Sequence, residues 1–268
     1  MHDADLIVVG AGLFGSFAAR AARRAGLSVL VVDRGEFRRA SPAAAGLYRP
    51  DWLKKLGDRA ALGLDVLRRD CSPAEATLTD VDSGRAERFG FLPPSHVLVE
   101  PDLRGVVSAI SPYGVVDVDR RRLAGRLGVY VAAGFWTPQL LPEVRLKGKA
   151  GTALTFAGEH PGAIWRWAPY RQTMGFRRDP GFTYFADGTA ILADRYAASH
   201  VEATVGRARR LGLTLPPVVA HTGIRPYVDG GPLFRRARPR VWVGAGGEKS
   251  GTVLGAAFAE LLMREIAA

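Results

Sequence analysis

The chain has 268 residues, of which 47% are hydrophobic and 24% charged, and this composition excludes a largely disordered or fibrous protein. The length is sufficient for a substantial hydrophobic core, in one large domain or two small ones. Lysine and arginine outnumber aspartate and glutamate by 37 to 26, which gives a formal net charge of +11. Such a surplus attracts polyanions, but arginine enrichment in a GC-rich genome explains it equally well, so both explanations stay open here.

Cysteine and histidine usage indicates a protein without an internal disulfide or a bound metal. Cys71 is the single cysteine, and the five histidines are scattered without the spacing of a zinc site. The chain starts with Asp3 and Asp5 in place of a basic targeting segment, and no apolar run reaches membrane-spanning length. We therefore expect a cytoplasmic protein.

Residues 5–36 predict a strand, a helix and a second strand. Leu6 to Val9 is a continuous apolar run, which is typical of a strand buried on both faces. An alanine-rich helix follows from about Leu13 to Ala25, and Gly26 is a typical helix stop. Because Ser28 to Val32 is again apolar, the segment reads as one βαβ unit.

The turn between the first strand and the helix has the spacing Gly-x-Gly-x-x-Gly. Gly10 permits a tight turn, Gly12 lets backbone approach a pyrophosphate, and Gly15 lets helix and strand pack closely. The helix N-terminus supplies free N–H groups and a positive dipole. Asp33, at the end of the second strand, is placed to accept hydrogen bonds from ribose hydroxyls. The predicted dinucleotide-binding residues are Gly10, Ala11, Gly12, Leu13, Phe14, Gly15, Asp33 and Arg34.

Later stretches continue the α/β pattern. Val129 to Ala132 and Val241 to Val243 are short apolar strands, and Thr252 to Ile266 is an amphipathic helix. The intervening residues alternate and are rich in β-branched and aromatic side chains, as in antiparallel sheets. The predicted fold class is α/β: a Rossmann-like, doubly wound parallel sheet with an interleaved antiparallel β-sheet. The predicted nucleotide-binding domain comprises residues 1–74, 116–150 and 221–268, and the substrate domain comprises residues 75–115 and 151–220.

Two local signals stand out in the second domain. Phe182 to Phe185 and Ala190 to Leu192 flank Asp187-Gly188, which is a typical hairpin turn. Glu202 to Leu211 predicts a helix.

Four segments together resemble one family. They are the βαβ unit; the small-residue loop 41–47; the V-Y-V-A-A-G-F-W-T stretch 129–137; and the C-terminal glycine-rich pair of stretches 222–230 and 244–251. The last two are similar to the patterns V-V-x-A-A-G-x-W-[ST] and G-[LI]-R-P…D-G…A-x-G-H-x-x-x-G. These patterns are those of the FAD-dependent D-amino-acid oxidase and glycine oxidase family. The four segments follow the family's order over nearly the whole chain.

The resemblance implies that the nucleotide-binding domain binds FAD non-covalently, since Cys71 lies in none of the flavin-facing segments. The further FAD contacts that it implies are Ser41, Ala44, Ala45, Gly46, Ala133, Gly134, Trp136, Gly223, Gly247, Glu248, Lys249, Ser250, Gly251 and Thr252. In this family the α-carbon of an amino acid gives hydride to flavin N5, the imine hydrolyses, and O2 reoxidises the flavin. The cofactor performs the chemistry and the protein orients the substrate.

Two residues carry implied roles toward the substrate. Arg225 matches the family's carboxylate-binding arginine, and a planar guanidinium suits two carboxylate oxygens. Lys249 matches the position of a basic residue near the substrate in glycine oxidase. The alternatives are a surface ion pair for Arg225 and a solvated side chain for Lys249. His221, Lys147 and Lys149 are weaker candidates, the lysines because they lie where the family has an R-G-Q strand near the flavin.

One departure from the family lies before the third segment. Residues 113–123 resemble the family's G-x-V-D-P-x-x-L segment, at which a helix starts. A helix, an adenine-contacting strand and a β-meander then follow in the family, whereas only Ala124 to Leu127 intervene here. We therefore expect a shortened member with a reduced adenine side, and hence room for a large substrate.

The charge bears on the substrate. Arginines cluster at Arg120 to Arg122 and Arg235 to Arg240, and aromatic residues alternate with arginine in Trp165-Arg166-Trp167, where bases can stack. Enzymes of the resembled family remove glycine-derived groups from modified pyrimidines of tRNA and viral DNA. The leading hypothesis is therefore oxidation of the C–N bond of a glycine adduct on DNA or RNA. The alternatives are an oxidase of free glycine, sarcosine or a D-amino acid, a flavin dehydrogenase that passes electrons to a partner, and a nucleic-acid-binding protein without turnover.

Overall fold

A computed structural model describes residues 2–35, 40–49, 53–80, 83–158, 163–166, 172–179, 181–187, 191–210, 212–248 and 250–268. The helices are α1 (Leu13–Arg24), α2 (Asp58–Cys71), α3 (Thr137–Leu140), α4 (Ala198–Arg210) and α5 (Gly251–Ala267). The strands are β1 (Ala4–Val9), β2 (Val29–Asp33), β3 (Leu47–Tyr48), β4 (Ala74–Asp80), β5 (Ala86–Phe91), β6 (Leu103–Arg104), β7 (Val107–Ile110), β8 (Val115–Val118), β9 (Arg121–Val131), β10 (Lys147–Ala157), β11 (Ala163–Arg166), β12 (Gln172–Asp179), β13 (Phe182–Asp187), β14 (Ile191–Leu192), β15 (Val219–Tyr227), β16 (Leu233–Arg238) and β17 (Val241–Ala245).

The first sheet is built around β1. Its strand order is β16-β17-β9-β1-β2-β6, with β8 on β9 and β7 on β8. Strands β17, β9, β1, β2 and β6 run parallel to one another. In β1, β2, β17 and the last part of β9 the residues form apolar runs because both faces are buried: α1 and α5 cover one face, and β7, β8 and the segment after α3 cover the other. The predicted α/β fold class is confirmed.

The second sheet is mainly antiparallel. Its order is β14-β10-β13-β12-β11-β4-β5-β3, and β15 pairs with the other edge of β10. Among the described strands the β4–β11 pair is parallel. Helix α4 covers one face, where Ala208 packs with Leu154 and Phe185. Sheet membership alone does not define domains, so the domain boundaries stay a prediction.

Residues 113–123 resemble a family segment at which a helix starts, but no helix starts here: Arg121–Val131 forms one strand of 11 residues. Asp119 and Arg120 have φ angles of 43° and 71° and form the tight turn between β8 and β9. The first part of β9 pairs antiparallel with β8, and its last part pairs parallel with β1. The extended conformation is therefore fixed by pairing with β8 across a tight turn and with β1, which is distant in sequence.

The predicted hairpin around Asp187-Gly188 is also corrected. Within the described residues, β13 and β14 pair with β10 and not with each other, β13 along residues 153–157 and β14 at Lys149 and Ala150. Residues 188–190 lie outside the described part of the chain. The predicted helix over 202–211 is present within α4, although Leu211 itself lies outside the described residues.

Candidate functional site

The glycine-rich turn brings β1, α1 and β9 into backbone contact. Gly10 has a φ of 105°, and a Cβ on it would lie 2.4 Å from the carbonyl oxygen of Ala132. A Cβ on Gly15 would lie 1.8 Å from the carbonyl oxygen of Gly10. Neither position has room for a side chain, so α1 starts directly at the end of the parallel strands, as a pyrophosphate cradle requires.

The first turn of α1 offers donors to an anion. Its N-cap, Gly12, has no capping side chain, and no acidic residue lies in the first turn. The N–H of Leu13 donates to Ser41 Oγ over 2.9 Å, and the N–H of Phe14 has no acceptor among the described residues. A free N–H group at the positive end of a helix binds phosphate, so the residues present fit this part of FAD.

Asp33 lies at the end of β2, next to the glycine-rich turn, and lines the cavity. This buried carboxylate accepts hydrogen bonds of 2.7 Å from the N–H groups of Ala11 and Gly35, one on each oxygen. A carboxylate oxygen can accept more than one hydrogen bond, so this group is chemically suited to ribose hydroxyls. Beside it, the guanidinium of Arg34 lies 4.6 Å from the centre of the Trp136 ring. The nucleotide end therefore has a fixed acceptor and a stacked cation.

A cavity of about 320 Å³, lined by residues of both sheets, connects these features. The predicted site residues that line it are Gly10, Gly12, Leu13, Phe14, Asp33, Arg34, Ser41, Ala44, Ala45, Gly46, Ala133, Gly134, Trp136, Gly223, Arg225, Gly247, Glu248, Gly251 and Thr252. Segments that are far apart in sequence therefore meet at one site.

The remaining predicted residues are placed differently. Ala11 and Gly15 do not line the cavity. The N–H of Ala11 donates to Asp33, and Gly15 packs against the backbone of Gly10. Ser250 is buried beside the cavity and its N–H donates to the carbonyl of Gly247 over 2.7 Å. Lys249 lies outside the described residues. His221, opposite Ala153 in the sheet, does not line the cavity.

Arg225 lines the cavity from β15. Its side chain makes no hydrogen bond or ion pair with any residue that the structure describes. In the β10–β15 pairing it lies directly opposite Lys149, whose Nζ is 4.2 Å from the centre of the Tyr227 ring. Burial raises the pKa of Tyr227, with Arg225 opposing that effect and Glu248 adding to it. Arg225, Lys149, Tyr227 and Glu248 therefore form one charged cluster.

The sequence did not indicate the wall that the antiparallel sheet contributes. Gly151, Thr152, Tyr184 and Ala186 line the cavity from β10 and β13. The Tyr196 hydroxyl hydrogen bonds to that of Thr152. The small residues of β10 were the available sequence signal for this wall. The alternation of side chains along a strand does not by itself say which face of the sheet lines a cavity.

Among the described residues, no helix is long and apolar enough to cross a bilayer. In the same ranges, no group of three or more histidine, cysteine, aspartate and glutamate side chains is arranged to hold a metal ion.

Solved structures share this architecture. The glycine oxidase from Geobacillus kaustophilus matches with a TM-score of 0.70 and 17% identity, over 100% of this chain and 95% of that chain. NikD, an unusual amino acid oxidase essential for nikkomycin biosynthesis, matches with a TM-score of 0.70 and 15% identity, over 99% of this chain and 95% of that chain. The iminodiacetate oxidase from Chelativorans sp. BNC1 matches with a TM-score of 0.68 and 15% identity, over 96% of this chain and 94% of that chain.

The family comparison agrees with the site. No curated protein matches the sequence. The family model described as FAD dependent oxidoreductase matches residues 5–82 and 103–265, which is most of the chain. With the glycine cradle, the free N–H of the first helical turn and the Asp33 acceptor, the residues fit FAD. The chain therefore belongs to the FAD-dependent oxidoreductase family of D-amino-acid oxidase and glycine oxidase, and is an FAD-dependent amino acid or amine oxidoreductase.

Proposed function

We propose that the chain oxidises the C–N bond of a glycine-like amino group whose carboxylate is bound by Arg225. The observation that carries this proposal is a half-buried guanidinium that lines the cavity and has no partner among the described residues. A guanidinium binds a carboxylate through two parallel hydrogen bonds, which fixes both position and orientation. Glycine oxidases among the similar structures support the choice of a glycine-like substrate.

Each part of the site then has a physical task. When bound, FAD accepts hydride from the α-carbon of the substrate, and the resulting imine hydrolyses in water. The first turn of α1 holds the pyrophosphate and Asp33 holds the ribose. Arg225 orients the substrate through its carboxylate, which lowers the entropic part of the barrier. We propose O2 as the electron acceptor, which oxygen consumption during turnover would test. A cytoplasmic location likewise stays a prediction.

The test of this function uses Arg225→Ala. Anaerobic mixing of the holoenzyme with glycine or sarcosine should bleach the flavin absorbance. In Arg225→Ala the KM should rise by about 100-fold or more, because two hydrogen bonds to a charged group contribute about 1.5–3 kcal/mol each. FAD should stay bound, and Arg145→Ala, an exposed arginine, serves as the control. An unchanged KM would refute the role of Arg225, and failure of every amine to bleach the flavin would refute the function.

We propose in addition that the glycine-like group is carried on a pyrimidine of DNA or RNA. The net charge of +11 supports this. Arg120 and Arg121, at the turn before β9, and Arg240, just before β17, are exposed and have no acidic partner among the described residues. Many other arginines are ion-paired, so the net charge alone overstates the free basic surface. The side chains of the 165–167 stretch lie outside the described residues.

The test compares a glycine-modified pyrimidine oligonucleotide, the unmodified oligonucleotide and free glycine in anaerobic bleaching. We expect the modified oligonucleotide to bleach the flavin at lower concentration than glycine does. Its binding should weaken steeply with salt, because phosphate contacts release counterions. Bleaching by free amino acids alone would refute the nucleic-acid substrate and leave the amino acid oxidase function standing.

A further inference from the structure

We propose that the substrate carries a second anionic group on its amine substituent, and that Lys149 binds this group next to Arg225. This inference rests on the proposed function of the Arg225 site and narrows it to N-substituted glycines with a terminal carboxylate or phosphate. A terminal carboxylate and a terminal phosphate are both anions, and the ammonium group of Lys149 would bind either of them in the same way.

The first observation is the register of two strands. Lys149 of β10 and Arg225 of β15 are direct partners in the antiparallel pair. Side chains of direct partners point to the same face, with Cβ atoms about 4.5–5.5 Å apart. The contact of Lys149 Nζ with the Tyr227 ring, at 4.2 Å, agrees with this, since Tyr227 lies two residues beyond Arg225 on the same face. The two cationic side chains therefore project from adjacent positions on one face of the sheet, Arg225 lining the cavity and Lys149 lying next to it without being one of the lining residues.

The second observation concerns the acids around them. Neither Lys149 nor Arg225 has an acidic partner among the described residues. Lys147, two residues before Lys149, is paired with Asp229 at 3.0 Å. Glu248, which lines the cavity, lies 3.8 Å from Lys55. Asp229 and Glu248 therefore have other lysines as ion-pair partners, while Lys149 and Arg225 form no ion pair with a described residue, although Glu248 belongs to the same cluster.

Such a pair is unfavourable in the free protein, because like charges directly opposite on neighbouring strands repel. One carboxylate satisfies the two-pronged guanidinium and leaves the ammonium unpaired. A second anion on the same substrate would satisfy the ammonium, which the Tyr227 ring already holds by a cation–π contact. The cluster is thus matched to a substrate with two negative groups better than to glycine itself.

The experiment compares three N-substituted glycines on the holoenzyme. Iminodiacetate has a carboxylate on the substituent, N-(phosphonomethyl)glycine has a phosphonate, and N-propylglycine has an uncharged substituent. We expect kcat/KM for at least one dianionic compound to exceed that of N-propylglycine by about tenfold or more, and the acid that is preferred identifies the group. Lys149→Met should abolish most of this preference, and Lys147→Met, the matched control, should keep it.

Binding without turnover gives an independent readout. Calorimetric titration with succinate and butyrate compares a dianion with a monoanion of the same carbon number, and the preference for succinate should also be lost in Lys149→Met. If that variant does not fold, Lys149→Gln replaces it. No dianion preference in the wild type, or the same preference in the Lys149 variant, would overturn the inference. If no amine bleaches the flavin but the Lys149-dependent preference for succinate is present, the proposed function fails and the anion site stands.

Discussion

The backbone N–H of Ala11 donates a 2.7 Å hydrogen bond to Asp33 Oδ2, which ties the glycine-rich turn to the end of β2. The N–H of Gly35 holds the other carboxylate oxygen, also at 2.7 Å. The fold itself therefore holds this carboxylate in place, so in the proposed FAD site little ordering of Asp33 is needed when the nucleotide binds.

Asp33→Ala should weaken FAD binding by about 10- to 100-fold, because the ribose loses a charged acceptor and two amides lose theirs. Titration of the apoprotein with FAD, followed by flavin fluorescence, measures the effect. Asp229→Ala is the control, since Asp229 is exposed and pairs with Lys147. Equal FAD affinity in wild type and Asp33→Ala would contradict the role of the carboxylate.

Gly15→Ala should destabilise the protein strongly, by about 3 kcal/mol or more, because a Cβ would lie 1.8 Å from the Gly10 carbonyl oxygen and backbone must move. Gly206→Ala in α4 is the matched control, since no atom lies within 4 Å of its added Cβ. That variant should gain about 0.5–1 kcal/mol from helix propensity. Denaturant unfolding of both variants checks the pair, and similar free energies of unfolding would disprove the close packing at Gly15.

Tyr130→Phe should raise the free energy of unfolding by about 1 kcal/mol, because an unpaired buried hydroxyl costs about 1–3 kcal/mol. The Tyr130 side chain is fully buried, burial raises its pKa, and its hydroxyl has no hydrogen-bond partner among the described residues. A Cβ on Gly244 would lie 2.0 Å from this hydroxyl, so Gly244→Ala should cost less in the Phe background. A less stable Tyr130→Phe protein would argue for a partner that the hydroxyl has in solution.

Asp5→Asn should lower the melting temperature at neutral pH and have little effect near pH 2. Asp5 accepts a 2.9 Å hydrogen bond from the N–H of Ser28 and one of 2.6 Å from Arg126 Nε. Chiefly through the Ser28 hydrogen bond, its pKa is lowered from 3.8 to about 2. A lowered pKa in the folded state stabilises the protein above the unfolded pKa, and the gain disappears as pH falls through the folded value. Thermal melts across this range measure it, and a pH-independent difference would contradict the assignment.

The βαβ unit was predictable from sequence because its determinants are local. Three glycines at fixed spacing, an apolar run on each side and Asp33 at the second strand end specify a turn, a helix start and a ribose acceptor within residues 5–36. Each of these features depends on neighbours a few residues away. The four segments that meet in the cavity were likewise indicated in order, although the sequence carries no distances between them.

Contacts between different segments of the chain decided the features that the sequence did not indicate. Arg121–Val131 became a strand because β8 and β1 lie beside it, although the local residues resembled a helix start. The register of β10 and β15 placed Lys149 opposite Arg225, a relationship between residues 76 positions apart that no periodicity reveals. Ion pairs such as Arg69 with Glu260 showed which arginines of the basic surplus are neutralised. The sequence by itself determined the dinucleotide cradle, and only the tertiary structure decided which charges stay unpaired at the substrate, because strand register and charge pairing depend on contacts between distant segments.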